Sequence, residues 1–323
     1  MYAVRHHEAG GPEVLRYESI DRPEPGPGEV LVEVRAASVN PVDAKLRAVR
    51  DPDSPKTTGS DLAGVVAAVG QGVSAHAVGD RVFATGLHSD RFRGGSFAEY
   101  AAVPTDLLAA LPDAVSFEDG AALALVGVTA WRAFVTHAGV SPGTTAFVHG
   151  ANGGVGHVAV GLADAMGASV VGTARPTYHD DVRALGADAV FDYGREDLSE
   201  AVEDAVGDAD AVLDHMPETY LGFDVDVAAF GGSVVVIADG APTVPDTLPA
   251  RSKELAVQFM SMSNLIDHSD LPDVGPILER LAAAKADGRF EVLIDRSYPL
   301  EEGADAHRAV MDESVLGKIL VVP

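Results

Sequence analysis

The chain has 323 residues, 47% of them hydrophobic, which is long for one core and sufficient for two. Its 49 acidic side chains outnumber 23 Lys plus Arg, a net charge of −26, so nucleic acid is a poor partner. Cysteine is absent, which excludes disulfides, thiolate nucleophiles and cysteine-bearing zinc sites.

The acids are 31 Asp and 18 Glu, set against 5 Lys and 18 Arg. Such a chain repels itself at low salt, and molar salt shortens the screening length to about 3 Å. Asp enrichment with Lys depletion points to the cytoplasm of a salt-accumulating halophile; the alternative is an acidic mesophilic enzyme. No apolar run reaches the ~18 residues a membrane span needs. The start, Met1-Tyr-Ala-Val-Arg-His-His-Glu8, lacks the apolar stretch of a signal peptide. The protein is therefore expected in the cytoplasm, away from membranes.

In chain order, the first 117 residues read as short strands broken by Gly and Pro. His6 and His7 are adjacent and expected to be exposed. Pro23-Glu-Pro-Gly-Pro-Gly28 is a turn cluster, and Glu29-Val-Leu-Val-Glu-Val-Arg35 then alternates as a half-buried strand does. Further strands are expected at 63–70, 80–84 and 96–103, the pattern of an antiparallel barrel. Residues 117–138 are helical in composition.

From there apolar runs alternate with helices. Strands are expected at 145–149, 169–173, 188–192, 210–214 and 233–238, with helices at 156–166 and 196–206 between them. This is the doubly wound pattern of a parallel sheet buried on both faces. Met260 and Met262 read as sheet-edge packing at a subunit contact. A helix at 274–285 and strands at 290–294 and 318–322 close the chain.

The strongest chemical signal is Phe147-Val-His-Gly-Ala-Asn-Gly-Gly-Val-Gly156. Glycines at 150, 153 and 156 let backbone N–H groups approach a pyrophosphate at the start of a helix. A site for NADH wants an acid after the second strand, accepting from the ribose 2′-OH. Here Ser169-Val-Val-Gly-Thr-Ala174 is followed by Arg175, so NADPH is favoured. The other reading of Arg175 is a solvated charge. His215 follows the strand at 210–214, near the expected cofactor edge. No histidine spacing suits a metal, and no hydrolase elbow is present.

Together with His7-Glu-Ala-Gly-Gly-Pro-Glu-Val-Leu15, Ser38-Val-Asn-Pro-Val-Asp43, Gly59-Ser-Asp-Leu-Ala-Gly64, Val78-Gly-Asp-Arg-Val82, Gly94-Gly-Ser-Phe-Ala-Glu-Tyr100, Gly127-Val-Thr-Ala-Trp-Arg132, Leu185-Gly-Ala-Asp188 and Gly317-Lys-Ile-Leu-Val321, this motif resembles the zinc-independent quinone oxidoreductases, the zeta-crystallin-like branch of the medium-chain dehydrogenase/reductase superfamily. The resemblance runs through nearly the whole chain. It implies an α/β architecture: a GroES-like, partly open β-barrel catalytic domain at 1–119 and 261–323, and a doubly wound Rossmann domain at 120–260.

It also implies roles. Zinc relatives carry Cys where this chain has Ser38-Val-Asn40, and His-Glu where it has Ser60-Asp61, so no metal is expected. Asn40 is expected to face nicotinamide and substrate. Lys45 stands where the family often has Tyr; it is either a carbonyl-polarising or proton-supplying group, or a surface cation beside Arg47. The cofactor residues implied are Thr129, Gly150, Asn152, Gly153, Gly154, Val155, Gly156, Arg175, Tyr193 and Ala238. The family's phosphate-binding Lys is missing: Tyr178 or His179 takes its place, followed by Asp180 and Asp181. The expected reaction is hydride transfer from NADPH to a quinone or an α,β-unsaturated carbonyl, in a homodimer. The alternatives are an enoyl-thioester reductase and a non-catalytic, crystallin-like NADPH-binding protein. Substrate identity rests with the loops at 48–55 and 87–93.

Overall fold

The longest strand, Glu29–Val39, does not keep the half-buried alternation expected of it: Val30–Val32 and Ala36–Val39 are buried without a break, and only Glu29, Glu33 and Arg35 reach solvent. Its neighbours cover both faces. One edge pairs antiparallel with Asp61–Val69; the other pairs with Tyr100–Pro104 and then, further along, with Lys318–Val322. Arg81–Ala84 and Leu108–Ala110 extend this seven-stranded sheet on one side, and Ile294–Pro299 extends it on the other. A second sheet joins Leu15–Ser19, Tyr2–His6 and Lys56–Thr57.

The computed structural model describes residues 1–87, 94–242, 246–268 and 270–323. Most of the expected loop at 87–93 therefore lies outside the described residues. The chain divides into two units. One comprises Met1–Val128, Ser263–Asp287 and Val292–Pro323; the other comprises Thr129–Met262 and Gly288–Glu291. The first carries the antiparallel sheets. Among the described residues no helix is long and apolar enough to cross a membrane.

The second unit is built on a six-stranded parallel sheet. Its order is Ala189–Phe191, Ser169–Thr173, Thr145–Val148, Ala209–Asp214, Ala228–Val236, Ala256–Phe259. Phe147, Val171, Val212 and Val234 are fully buried at its centre, as strands covered on both faces require. The chain starts at Thr145–Val148, winds outward one way, then returns to wind the other way from Ala209–Asp214. Such a reversal opens a crevice at the carboxyl ends of those two strands.

Several expectations fail in detail; the strand expected at 96–103 begins only at Tyr100. His6 is buried, because strand alternation turns it inward while His7 stays outside against Glu18. The strand expected at 290–294 begins only at Ile294; Phe290 instead packs against Gly161 of the helix Gly154–Ala165. Met260 and Met262 are buried within the chain itself, and Met260 N donates to the Val236 carbonyl where the edge strand ends. The exposed apolar groups on the edge strand are Val257 and Phe259.

Candidate functional site

The crevice of the parallel sheet holds the glycine turn. Gly150 has φ +60°, a left-handed conformation that glycine adopts without a steric penalty. Its N–H donates to Thr173 Oγ1 at 3.2 Å, Ala151 N donates to the Thr173 carbonyl at 2.8 Å, and Gly153 N donates to the Gly150 carbonyl at 2.8 Å. The turn is thus tied to the end of the second strand. Gly153 begins the helix Gly154–Ala165 and no side chain caps it. Amides at Gly154, Val155 and Gly156 belong to the first turn of this helix, whose N–H groups have no intrahelical partner, the feature by which helix starts bind phosphate in general. A Cβ on Gly156 would lie 2.2 Å from the Gly150 oxygen, so this close approach needs glycine.

The other expected cofactor residues sit around the same sheet. Asn152 is half-buried within the turn. Arg175 is exposed where Ser169–Thr173 ends, and His179 Nε2 donates to the Ala174 carbonyl at 3.2 Å. Asp180, one of the two nearby acids, pairs with Arg183 at 2.9 Å. Tyr193 is exposed, Ala238 is half-buried just past Val236, and Thr129 is buried at the start of this unit.

Beside the turn lies a titratable cluster whose pairing no motif announced, since His149 belongs to the glycine motif but its partner Asp224 lies 75 residues on. His149 Nε2 and Asp224 Oδ1 share a 2.7 Å hydrogen bond with both side chains fully buried. Tyr220 stacks on the His149 ring at 4.1 Å. Burial lowers His149 to about 4 and pushes Asp224 up to about 8. Burial and the facing Asp224 raise Asp214 to about 6. At neutral pH His149 is therefore uncharged, and the two carboxyls hold protons more tightly than exposed ones do. His215 follows Asp214 and covers the turn: a Cβ on Gly150 would meet its Cε1 at 2.7 Å.

The first unit holds a second polar cluster, built around Asn40. Asn40 precedes the helix Pro41–Val49, and its backbone N–H donates to Asp43 Oδ2 at 3.1 Å. Ser60 Oγ donates to Asp43 Oδ1. Asp61 Oδ2 accepts from Ser38 Oγ at 2.6 Å and from Asn40 Nδ2 at 2.8 Å. Lys318 Nζ donates to Asn40 Oδ1 at 2.5 Å and to the Val39 carbonyl at 2.7 Å. All six side chains are buried. Burial raises Asp43 to about 7 and raises Asp61; it lowers Lys318 to about 8 against the pull of both carboxylates. The structure thus joins Asn40 to Lys318, while Lys45 is exposed on the helix Pro41–Val49. Two signals for this cluster stood in the sequence: a lysine heading the apolar strand Lys318–Val322, in a chain with 5 Lys, and acids flanking apolar runs.

Family models described as an alcohol dehydrogenase GroES-like domain and a zinc-binding dehydrogenase match residues 26–113 and 185–321. The residues around Asn40 do not fit zinc. The cluster offers neither thiolate nor imidazole, and it already contains an ammonium hydrogen-bonded to Asn40. Among curated proteins, mouse quinone oxidoreductase is 33% identical over 332 residues, which span 100% of this chain and 98% of that protein. The crystal structure of an NAD-dependent alcohol dehydrogenase superposes with a TM-score of 0.90 at 30% identity, over 100% of both chains. Escherichia coli quinone oxidoreductase complexed with NADPH gives 0.87 at 28% identity, again over 100% of both. By this end-to-end similarity, the chain belongs to the medium-chain dehydrogenase/reductase superfamily and, within it, to the quinone oxidoreductases.

Proposed function

We propose that this protein is an NADPH-dependent oxidoreductase that reduces a quinone or an α,β-unsaturated carbonyl. The observation that carries the reading is the uncapped glycine turn at Gly150–Gly156, beside a second strand that ends in Thr173-Ala174-Arg175 without an acid. Amides at Gly154, Val155 and Gly156 hold the pyrophosphate, and Arg175 with Tyr193 holds the 2′-phosphate. Thr129, Asn152 and Ala238 complete the cofactor residues. When bound, NADPH supplies the hydride. Asn40 donates a hydrogen bond to the substrate oxygen as negative charge gathers there. Solvent, or the exposed Lys45, supplies the proton. In this reading the first unit carries the substrate chemistry and the second carries the cofactor.

The test follows NADPH oxidation with a panel of quinones, enones and enoyl thioesters, after dialysis against a strong chelator. Turnover of quinones or enones, unchanged by the chelator, is expected. Turnover confined to thioesters would reassign the substrate class, and NADPH binding without any turnover would leave a crystallin-like binding protein. Loss of activity to the chelator would overturn the metal-free chemistry.

The same reading makes the protein a cytoplasmic homodimer of a salt-accumulating cell. Val257 and Phe259, 37% and 63% exposed on the edge strand Ala256–Phe259, support a second copy there, and the net charge of −26 supports the habitat. Light scattering and thermal unfolding are expected to give a dimer whose midpoint rises from roughly 0.1 to 3 M KCl, as self-repulsion is screened. A monomer, or a midpoint that stays flat, would remove the corresponding half of the reading.

A further inference from the structure

Lys318 heads a strand that pairs antiparallel with Glu29–Val39, with Ile319 opposite Val39. That register carries its side chain to Asn40, 278 residues away in sequence. An ammonium can only donate hydrogen bonds and a carboxylate can only accept them. Lys318 at Oδ1 and Asp61 at Nδ2 therefore allow the Asn40 amide one orientation. One Nδ2 hydrogen is used on Asp61. The other points away from that bond, on a residue that is 1% exposed.

We propose that Lys318 is a positioning residue: it locks the Asn40 amide with Oδ1 inward, so that the remaining Nδ2 hydrogen serves as the donor to the substrate's carbonyl or quinone oxygen. The inference rests on the proposed quinone or enone reduction. Hydrogen bonds in a buried chain polarise one another, so an ammonium on Oδ1 also strengthens Nδ2–H as a donor. Without Lys318 and Asp61 together the amide can turn over, and a carbonyl oxygen would then face the substrate oxygen and repel it. Val39 shares the lysine through its backbone carbonyl, which fixes the ammonium on the strand that ends at Asn40.

Lys318→Met alone leaves Asp61 and Asp43 without their cation and could unfold the site. The double variant Lys318→Met/Asp61→Asn removes one charge of each sign. The amide so introduced at position 61 can either accept from or donate to Asn40, so no charged group then dictates the Asn40 orientation and only the helix start at Asp43 still favours Oδ1 inward. The expected result is an unfolding midpoint near the parent's and an unchanged KM for NADPH, with kcat lowered about 10-fold or more. The 15N side-chain amide signals of Asn40, assigned by their loss in Asn40→Asp, should also shift and exchange faster with solvent. Parental kcat and parental amide signals in the folded double variant would overturn the proposal. If the parent turns over no quinone or enone, the catalytic reading fails by itself; a change in the amide signals would still support the lock, and unchanged signals would remove it.

Discussion

Replacing Arg175 by Ala is expected to raise KM for NADPH roughly 10- to 150-fold and to leave KM for NADH nearly unchanged. The range follows from about 1.5–3 kcal/mol for hydrogen bonds to a charged group. A guanidinium presents a planar fork to two phosphate oxygens at once, and no other Lys or Arg lies within the strand-to-helix segment 173–179. The neighbours have other engagements: His179 is tied to the Ala174 carbonyl, and Asp180 pairs with Arg183. That exposed ion pair is weak, so the two acids remain the main competitors of a bound phosphate. Because Arg175 is exposed, salt should erode the cofactor preference of the parent protein. Measuring kcat/KM for both cofactors at one salt concentration decides the matter. Equal use of NADH and NADPH by the parent would show that Arg175 does not set the preference.

Gly156→Ala should disable the cofactor turn, weakening NADPH binding at least about 10-fold and lowering stability by about 1–3 kcal/mol, the usual range for overpacking. The new Cβ would stand 2.2 Å from the Gly150 oxygen and 2.9 Å from Ala151 Cα. Both obstacles are backbone, so no side-chain rotation relieves them. Either the helix Gly154–Ala165 moves off the turn, or the 2.8 Å bond from Gly153 N to the Gly150 carbonyl opens. Each outcome displaces the amides proposed to hold the pyrophosphate. Gly222→Ala is the control: nothing lies within 4 Å of its Cβ position in the helix Pro217–Val227, so the change should be neutral or slightly stabilising. Fluorescence titration with NADPH and denaturant unfolding of both variants provide the comparison. Parental affinity in Gly156→Ala would mean that the turn does not hold the cofactor.

Several features of this protein were settled by the sequence itself, because they depend only on short stretches of chain. The strand–turn–helix around Gly150 is local: its glycines are spaced for one tight turn and one close helix approach. The alternation of apolar runs and helices after residue 140 is local as well, and it is enough to define a doubly wound sheet. The missing acid after Thr173-Ala174 and the missing cysteines are facts of composition that no fold can change. Tertiary structure decided whatever depends on pairing distant segments. His6 turned inward because a strand places successive side chains on opposite faces, so its register fixes which of two adjacent histidines is buried. His149 met Asp224, 75 residues on, only once the strands and helices of the parallel sheet were stacked. Lys318 reached Asn40 through the antiparallel pairing of the last strand with the third, an association between opposite ends of the chain. Lys45 lies near Asn40 in sequence, yet helical geometry leaves it exposed while the distant lysine is buried. Proximity along the chain governs turns and helix starts; the partners of a buried charge are set by sheet register, which local sequence does not encode.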